Sequence, residues 1–64
     1  MSVKLSERVL RRRAEALVIA LVGSANALPW WHSSNQAFEG DTPEARWEKN
    51  PHSVYEYLMQ YALG

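Results

Sequence analysis

Cysteine is absent from these 64 residues, so no disulfide can staple the chain. Without cysteine, two histidines do not make a structural zinc site. Net charge is zero, which denies the chain the basic footprint of a typical nucleic-acid binder. No apolar run approaches the ~20 residues that a membrane-spanning helix needs. No stretch alternates with period two for long enough to make a strand. There is no Gly-rich phosphate loop, no metal-ligand spacing and no thiol nucleophile. His32 stands beside Ser33 and Ser34, but adjacent residues on a helix do not face each other. His52, just after Pro51, reads as a solvent-exposed side chain. Neither enzymatic activity nor a cofactor is expected.

What the chain does have is aromatic surface. Trp30, Trp31, Phe38, Trp47, Tyr55, Tyr57 and Tyr61 can each bury roughly 150–250 Å². A domain this small buries only about 60% of its unfolded surface. Its stability must therefore come from an aromatic core or from a partner.

Charge is unevenly placed. Residues 1–23 hold five basic groups against two acidic, a net of +3; residues 38–58 hold two basic against five acidic, a net of −3. The two halves either attract each other or present two faces to two partners.

The N-terminal third has the layout of an export signal. Arg11-Arg12-Arg13 precedes the apolar run Ala16 to Val22, and Ala25-Asn26-Ala27 fits the cleavage pattern. Glu7 and Glu15 interrupt the basic region, and the apolar run is only seven residues. A cytoplasmic protein is the expectation, with residues 1–27 as the segment that an export reading would remove.

Helical signals dominate, and the expected fold is all-α, a small bundle of four to five helices in one domain. Ser6 can cap a first helix that runs to Val22, with Gly23 as its stop. At 100° per residue, Leu10, Ala14, Leu17 and Leu21 share one face, and Arg8, Arg11 and Arg12 lie opposite. Ile19 and Val22 point toward the arginine side, so the end of this helix is apolar nearly all round. Such a helix is central or is covered by another chain, and a two-fold homodimer is expected on that ground.

Residues 24–38 read as one or two short helices. Pro29 suits a first turn, and Asn35 can cap a single turn that carries Phe38 inward. Gly40 can take a positive φ. Thr42 then caps a new helix with Pro43 at its first position and Glu44 near its positive dipole end. Asn50 and Pro51 repeat the device, giving helices over about residues 43–49 and 51–63. The Gly40 to Pro43 turn and the second cap read as scaffold. On the last helix, Val54, Leu58, Tyr61 and Ala62 form the apolar face, while Tyr55, Met59 and Leu63 extend around the other side. Met59 and Leu63 form a candidate contact seam.

Residues from about Arg12 to Gly64 resemble the toxin-binding domain of the Xre/MbcA/ParS-type antitoxins. The resemblance rests on Gly23, Trp30-Trp31, Asn35-Gln-Ala-Phe38, Gly40-Asp-Thr-Pro43, Val54-Tyr-Glu-Tyr-Leu58 and Gly64, in that order. The Asn-to-Pro string is its most specific part. It implies an all-helical module, itself no enzyme, that binds and blocks a partner toxin, typically a RES-type enzyme that consumes NAD. Departures are visible. Family members usually carry a helix-turn-helix domain first, and only the residues before Arg12 precede the resemblance here, so DNA-bound autoregulation is not expected. Trp47 replaces a more aliphatic residue, and the end at Gly64 leaves little tail to enter a toxin. These departures fit a stand-alone or phage-borne relative.

Interface anchors favour Trp, Tyr, Met and Arg. The residues expected to touch a protein partner, whether toxin or host factor, are Tyr55, Met59, Leu63, Ile19, Val22, Arg8 and Arg12. The alternative is an accessory protein that meets nucleic-acid machinery through Arg11 to Arg13, although a consecutive triplet fans around a helix. Neither direct nucleic-acid binding nor membrane binding is expected.

Overall fold

The structure is a computed structural model and describes residues 6–63. Four helices follow one another: α1, Glu7–Val22; α2, Ser24–His32; α3, Pro43–Lys49; and α4, Pro51–Leu63. One 3₁₀ turn, Gln36–Phe38, lies between α2 and α3. There is no strand among the described residues. The fold is a small all-α bundle.

Capping chemistry sets the boundaries. The Ser6 hydroxyl accepts from the Val9 amide at 3.2 Å and opens α1. Gly23, at φ 91°, closes it by donating its N–H to Ile19 O at 2.8 Å. A Cβ on Gly23 would meet nothing within 4 Å, so the backbone angle, not space, selects glycine there.

The buried stripe of α1 is Leu10, Ala14 and Val18. It is rotated from the expected Leu10, Ala14, Leu17 and Leu21. The cause is that α1 packs against two neighbours, α2 and α4, and buries the line between them. Val18 is on that line, fully buried; Leu17 is half-buried on the flank; Leu21, in the last turn, stays 41% exposed. Val22 is half-buried against the core rather than turned to the arginine side.

Helix α2 begins five residues before Pro29, so this proline sits inside the helix and not in its first turn. The start is built by Asn26 instead. Its amide donates to Gly23 O at 3.1 Å, and its Nδ2 donates to Val22 O at 2.9 Å. The side chain thus holds the end of α1 to the start of α2, and the axis turns by 116° across the break. No single helix among the described residues is long and apolar enough to cross a membrane. The Ala25 to Ala27 stretch lies within α2.

From Asn35 to Asp41 the chain forms a closed loop. Asn35 Oδ1 accepts from the Ala37 amide at 2.9 Å, and the Asn35 N–H donates to Asp41 O at 3.0 Å. Glu39 and Gly40 both take positive φ, 58° and 88°, to reverse the chain. Arg46 reaches back from α3 and donates Nη2–H to Phe38 O at 2.8 Å. Its Nε is buried without a hydrogen-bond partner, and nothing in the structure explains that.

Thr42 then opens α3, its Oγ1 accepting from the Ala45 amide at 3.1 Å, with Pro43 fully buried at the first position. Asn50 serves both neighbours: its N–H donates to Arg46 O at 2.8 Å, and its Oδ1 accepts from the Ser53 amide at 3.3 Å. Because α3 has only seven residues, its cap is a large share of what holds it. Thr42→Ala is expected to lower unfolding free energy by about 1 kcal/mol, read from urea melts, while Thr42→Ser keeps most of the stability.

Every element contributes to one core: Leu10, Ala14, Val18, Trp31, Phe38, Trp47, Val54 and Leu58. Six of the seven aromatic rings touch in an unbroken chain. Trp47 meets Trp31 at 5.9 Å, Trp31 meets Trp30 at 5.1 Å, and Trp30 meets Phe38 at 6.5 Å, all edge to face. Phe38 meets Tyr57 at 5.0 Å, and Tyr57 meets Tyr61 at 4.9 Å. The edge-to-face geometry is the one the ring quadrupoles favour. The rings link α2, the 3₁₀ turn, α3 and α4, which between them have few aliphatic residues in the core.

Candidate protein-interaction site

Two openings flank the line where α1 and α4 pack. Arg13, Ala16 and Leu17 face Tyr55 and Met59 across a shallow groove of about 300 Å³. On the other flank, Val18, Leu21 and Val22 face Tyr57, Leu58 and Tyr61, with Trp30 of α2 closing the far wall of a cleft of about 280 Å³. Low numbers on α1 meet low numbers on α4, and high meet high, so the two helices run in the same direction. Their C-terminal halves form one end of the bundle.

The described side chains of that end carry no formal charge. From Ala16 to Phe38, and again from Tyr57 to Gly64, there is no Asp, Glu, Lys or Arg. Large apolar side chains are nevertheless exposed there: Leu21, Tyr61 at 63% and Leu63 at 80%. Tyr57, lining the cleft, has its phenol pushed above the ordinary value of 10.0, first by the adjacent Tyr61 and then by burial.

The residues expected to meet a partner are divided among several surfaces. Tyr55 and Met59 are half-buried and share the first groove with Arg13. Val22 lines the cleft on the opposite flank. Ile19, 47% exposed, lies in a third depression with Leu28, Ala27 and Trp31, between α1 and α2. Leu63 is at the end of α4, and Arg8 and Arg12 are exposed on α1. The groove brings together Tyr55 and Met59; it does not include Leu63, Ile19, Val22, Arg8 or Arg12.

Arg11 is where the structure departs most from the sequence reading. It is not on the outer face with Arg8 and Arg12. Its guanidinium lies 3.8 Å from the centre of the Trp31 ring and 5.3 Å from that of Trp47. Nη1–H and Nη2–H donate to the two carboxylate oxygens of Glu44 at 2.8 and 2.7 Å, and Nε–H donates to Glu15 at 2.9 Å. The Glu15 partner four residues on is legible as a helical pair. Glu44, 33 positions away, gives no local signal. Hydrogen bonding to Arg11 holds the Glu44 carboxyl below its ordinary value of 4.5, against an opposing effect of desolvation. The same bond raises the guanidinium of Arg11. Of the uneven charge along the chain, this one bidentate pair joins the basic α1 to the acidic second half. Arg8, Arg12 and Arg13 have no acidic partner among the described residues.

No three His, Asp or Glu side chains are grouped to hold a metal among the described residues. Comparison with protein-family models, with curated proteins and with solved structures finds no match to this chain.

Proposed function

We propose that this chain is a non-enzymatic protein–protein interaction module, antitoxin-like, that acts in the cytoplasm by binding and occluding a partner enzyme. By the resemblance of its Asn35 to Pro43 string and its last helix to the Xre/MbcA/ParS-type toxin-binding domain, the partner is a RES-type toxin. The observation that carries the reading is the groove between α1 and α4. It gathers a tyrosine, a methionine and an arginine, Tyr55, Met59 and Arg13, beside the small Ala16. These are the residue types that anchor protein interfaces. Met59 adds an adaptable side chain that can fill an irregular contact.

The test is affinity capture with the full chain as bait, followed by titration of the purified chain against the captured enzyme. A stoichiometric enzyme whose activity falls as the chain is added is expected. Met59→Glu should raise the concentration needed for half-inhibition by about thirtyfold or more, with helicity unchanged because Met59 is not part of the buried core. Recovery of the chain alone would overturn the proposal.

A second reading rests on the exposed Arg8, Arg12 and Arg13, which have no acidic partner among the described residues. It makes the chain an accessory protein docking on nucleic-acid machinery. With Arg11 committed to Glu44 and Trp31, the basic triplet offers two outward charges, not three. Steep loss of binding with salt would favour this reading, and no binding at low salt would end it.

A further inference from the structure

We propose that the groove between α1 and α4 takes an acidic amphipathic helix of a protein partner, with its apolar edge inward and a carboxylate meeting Arg13. This rests on the groove being the partner-binding face. Charge selects the carboxylate. The groove is lined by Arg13, Ala16, Leu17, Tyr55 and Met59, one cation and no carboxylate. Arg12 and Arg13 stand one helical turn before Ala16 and Leu17 on α1. Neither arginine has an acidic partner among the described residues. Glu56, the carboxylate of α4, lines a depression on the other flank of that helix with Tyr57 and Gln60. The fold therefore supplies Arg11 with a carboxylate from another helix, bonded in a planar fork, and supplies none to Arg13. The half-buried Leu17, Tyr55 and Met59 select apolar side chains beside the incoming carboxylate.

Backbone chemistry selects the helix. An extended segment carries N–H and C=O groups that need partners. It finds them at a sheet edge, and there is no strand among the described residues. The side chains of the groove offer one guanidinium and one phenol, too little to satisfy a row of amides. A helix satisfies its own backbone and asks of the groove only apolar contact and an ion pair. The walls match it. Arg13 and Leu17 are one turn apart, as are Tyr55 and Met59, the interval at which a helix presents its own anchoring residues. Ala16, small and exposed, leaves room for the incoming backbone. A nucleic acid would use the arginines and leave Leu17, Tyr55 and Met59 unmatched.

Three fluorescent, helix-stapled peptides of about three turns, added to the full chain, test this. All share one leucine face, and the flanking positions are Glu, Gln or Lys. Anisotropy gives the affinities, and the Met59 methyl resonance reports the site. The Glu peptide is expected to bind about tenfold or more tightly than the Lys peptide, with Gln between them, and to shift the Met59 methyl. Arg13→Glu, at an exposed position, should reverse the order while the far-ultraviolet circular dichroism stays unchanged. Equal affinities for the Glu and Lys peptides, binding by none of the three, or an unmoved Met59 methyl overturns the proposal. So does displacement of the Glu peptide by an equal concentration of single-stranded DNA, which would make the arginines a phosphate footprint. These measurements need no enzyme, so the two proposals fail separately. A captured enzyme that the chain inhibits, without the peptide preference, overturns this one and leaves the antitoxin-like reading standing.

Discussion

Replacing Trp31 by alanine is expected to abolish cooperative unfolding at room temperature. Trp31 is 3% exposed and lies between Trp47 and Trp30 in the aromatic chain. It also supplies the ring face on which Arg11 rests. A buried tryptophan cut to alanine costs about 3–5 kcal/mol through lost transfer energy and the cavity left behind. A chain of this length has roughly 3–10 kcal/mol of stability in total. The loss is therefore comparable with the whole. Near-ultraviolet circular dichroism and urea melts check it. The variant should lose its aromatic signal and show a broad, sloping transition. Trp31→Phe restores part of the packing and should melt cooperatively at lower urea. As a comparison, Leu28→Ala, at a position 68% exposed, should change stability by no more than about 0.5 kcal/mol. A Trp31→Ala protein with a sharp transition near the wild-type midpoint would show that the ring chain contributes little.

The helices and their ends are legible in the sequence because caps are local. The cap bonds of Ser6, Gly23, Asn35, Thr42 and Asn50 each reach no more than four residues along the chain, so the sequence contains both partners side by side. Pro29 sits inside α2 and departs from the local expectation. The rule that puts proline in a first turn says nothing of Asn26, whose side chain lets α2 begin earlier. Faces were less legible than ends. A helical wheel gives the angles of side chains but not the direction of the neighbours. Val18 is buried because α2 and α4 approach α1 from two sides, whereas Leu21 faces away from both and stays exposed while its neighbour Val22 turns toward the core. On α4 the buried pair Val54 and Leu58 was visible, whereas Tyr61 and Ala62 continue the same stripe past the end of its cover. The candidate site shows the same division. Tyr55 and Met59 share a groove because they are one helical turn apart, a relation the sequence contains. That Arg13 and Leu17 form the opposite wall depends on α1 and α4 running in the same direction, a relation it does not contain.

Arg11 is the long-range case, and its removal is the second large effect. In one guanidinium it combines a bidentate bond to α3, a bond to Glu15 in its own helix, and stacking on Trp31 of α2. It is thus the side chain that ties three helices together. The magnitude must lie between two limits. Exposed ion pairs contribute about 0–1 kcal/mol, and breaking a fully buried one costs about 3–5 kcal/mol. The side chains of Arg11 and Glu44 are 23% and 32% exposed, nearer the buried limit, and the guanidinium is shielded on one face by indole. Arg11→Ala is expected to lose about 2–3 kcal/mol, and Arg11→Lys to recover less than half of it, because an ammonium cannot bond both carboxylate oxygens in plane or stack as well. The pair also predicts a pH dependence. Glu44 has a folded pKa below its ordinary 4.5, so the unfolded chain binds a proton more readily than the folded one. The contribution of the pair is complete above about 4.5, declines as the pH falls below that value, and is gone once the lowered folded pKa has been passed. Glu44→Gln keeps the shape and removes the titration. Measured by urea melts across the acid range, the wild-type midpoint should fall with pH more steeply than that of Glu44→Gln, and the two curves should converge at the acid end. In the Arg11→Ala background, Glu44→Gln should change neither midpoint nor slope by much, since the partner that lowers the Glu44 pKa is already gone. Equal slopes for wild type and Glu44→Gln would mean that the Glu44 carboxylate is screened by water and that Arg11 acts through its other contacts, Trp31 and Glu15.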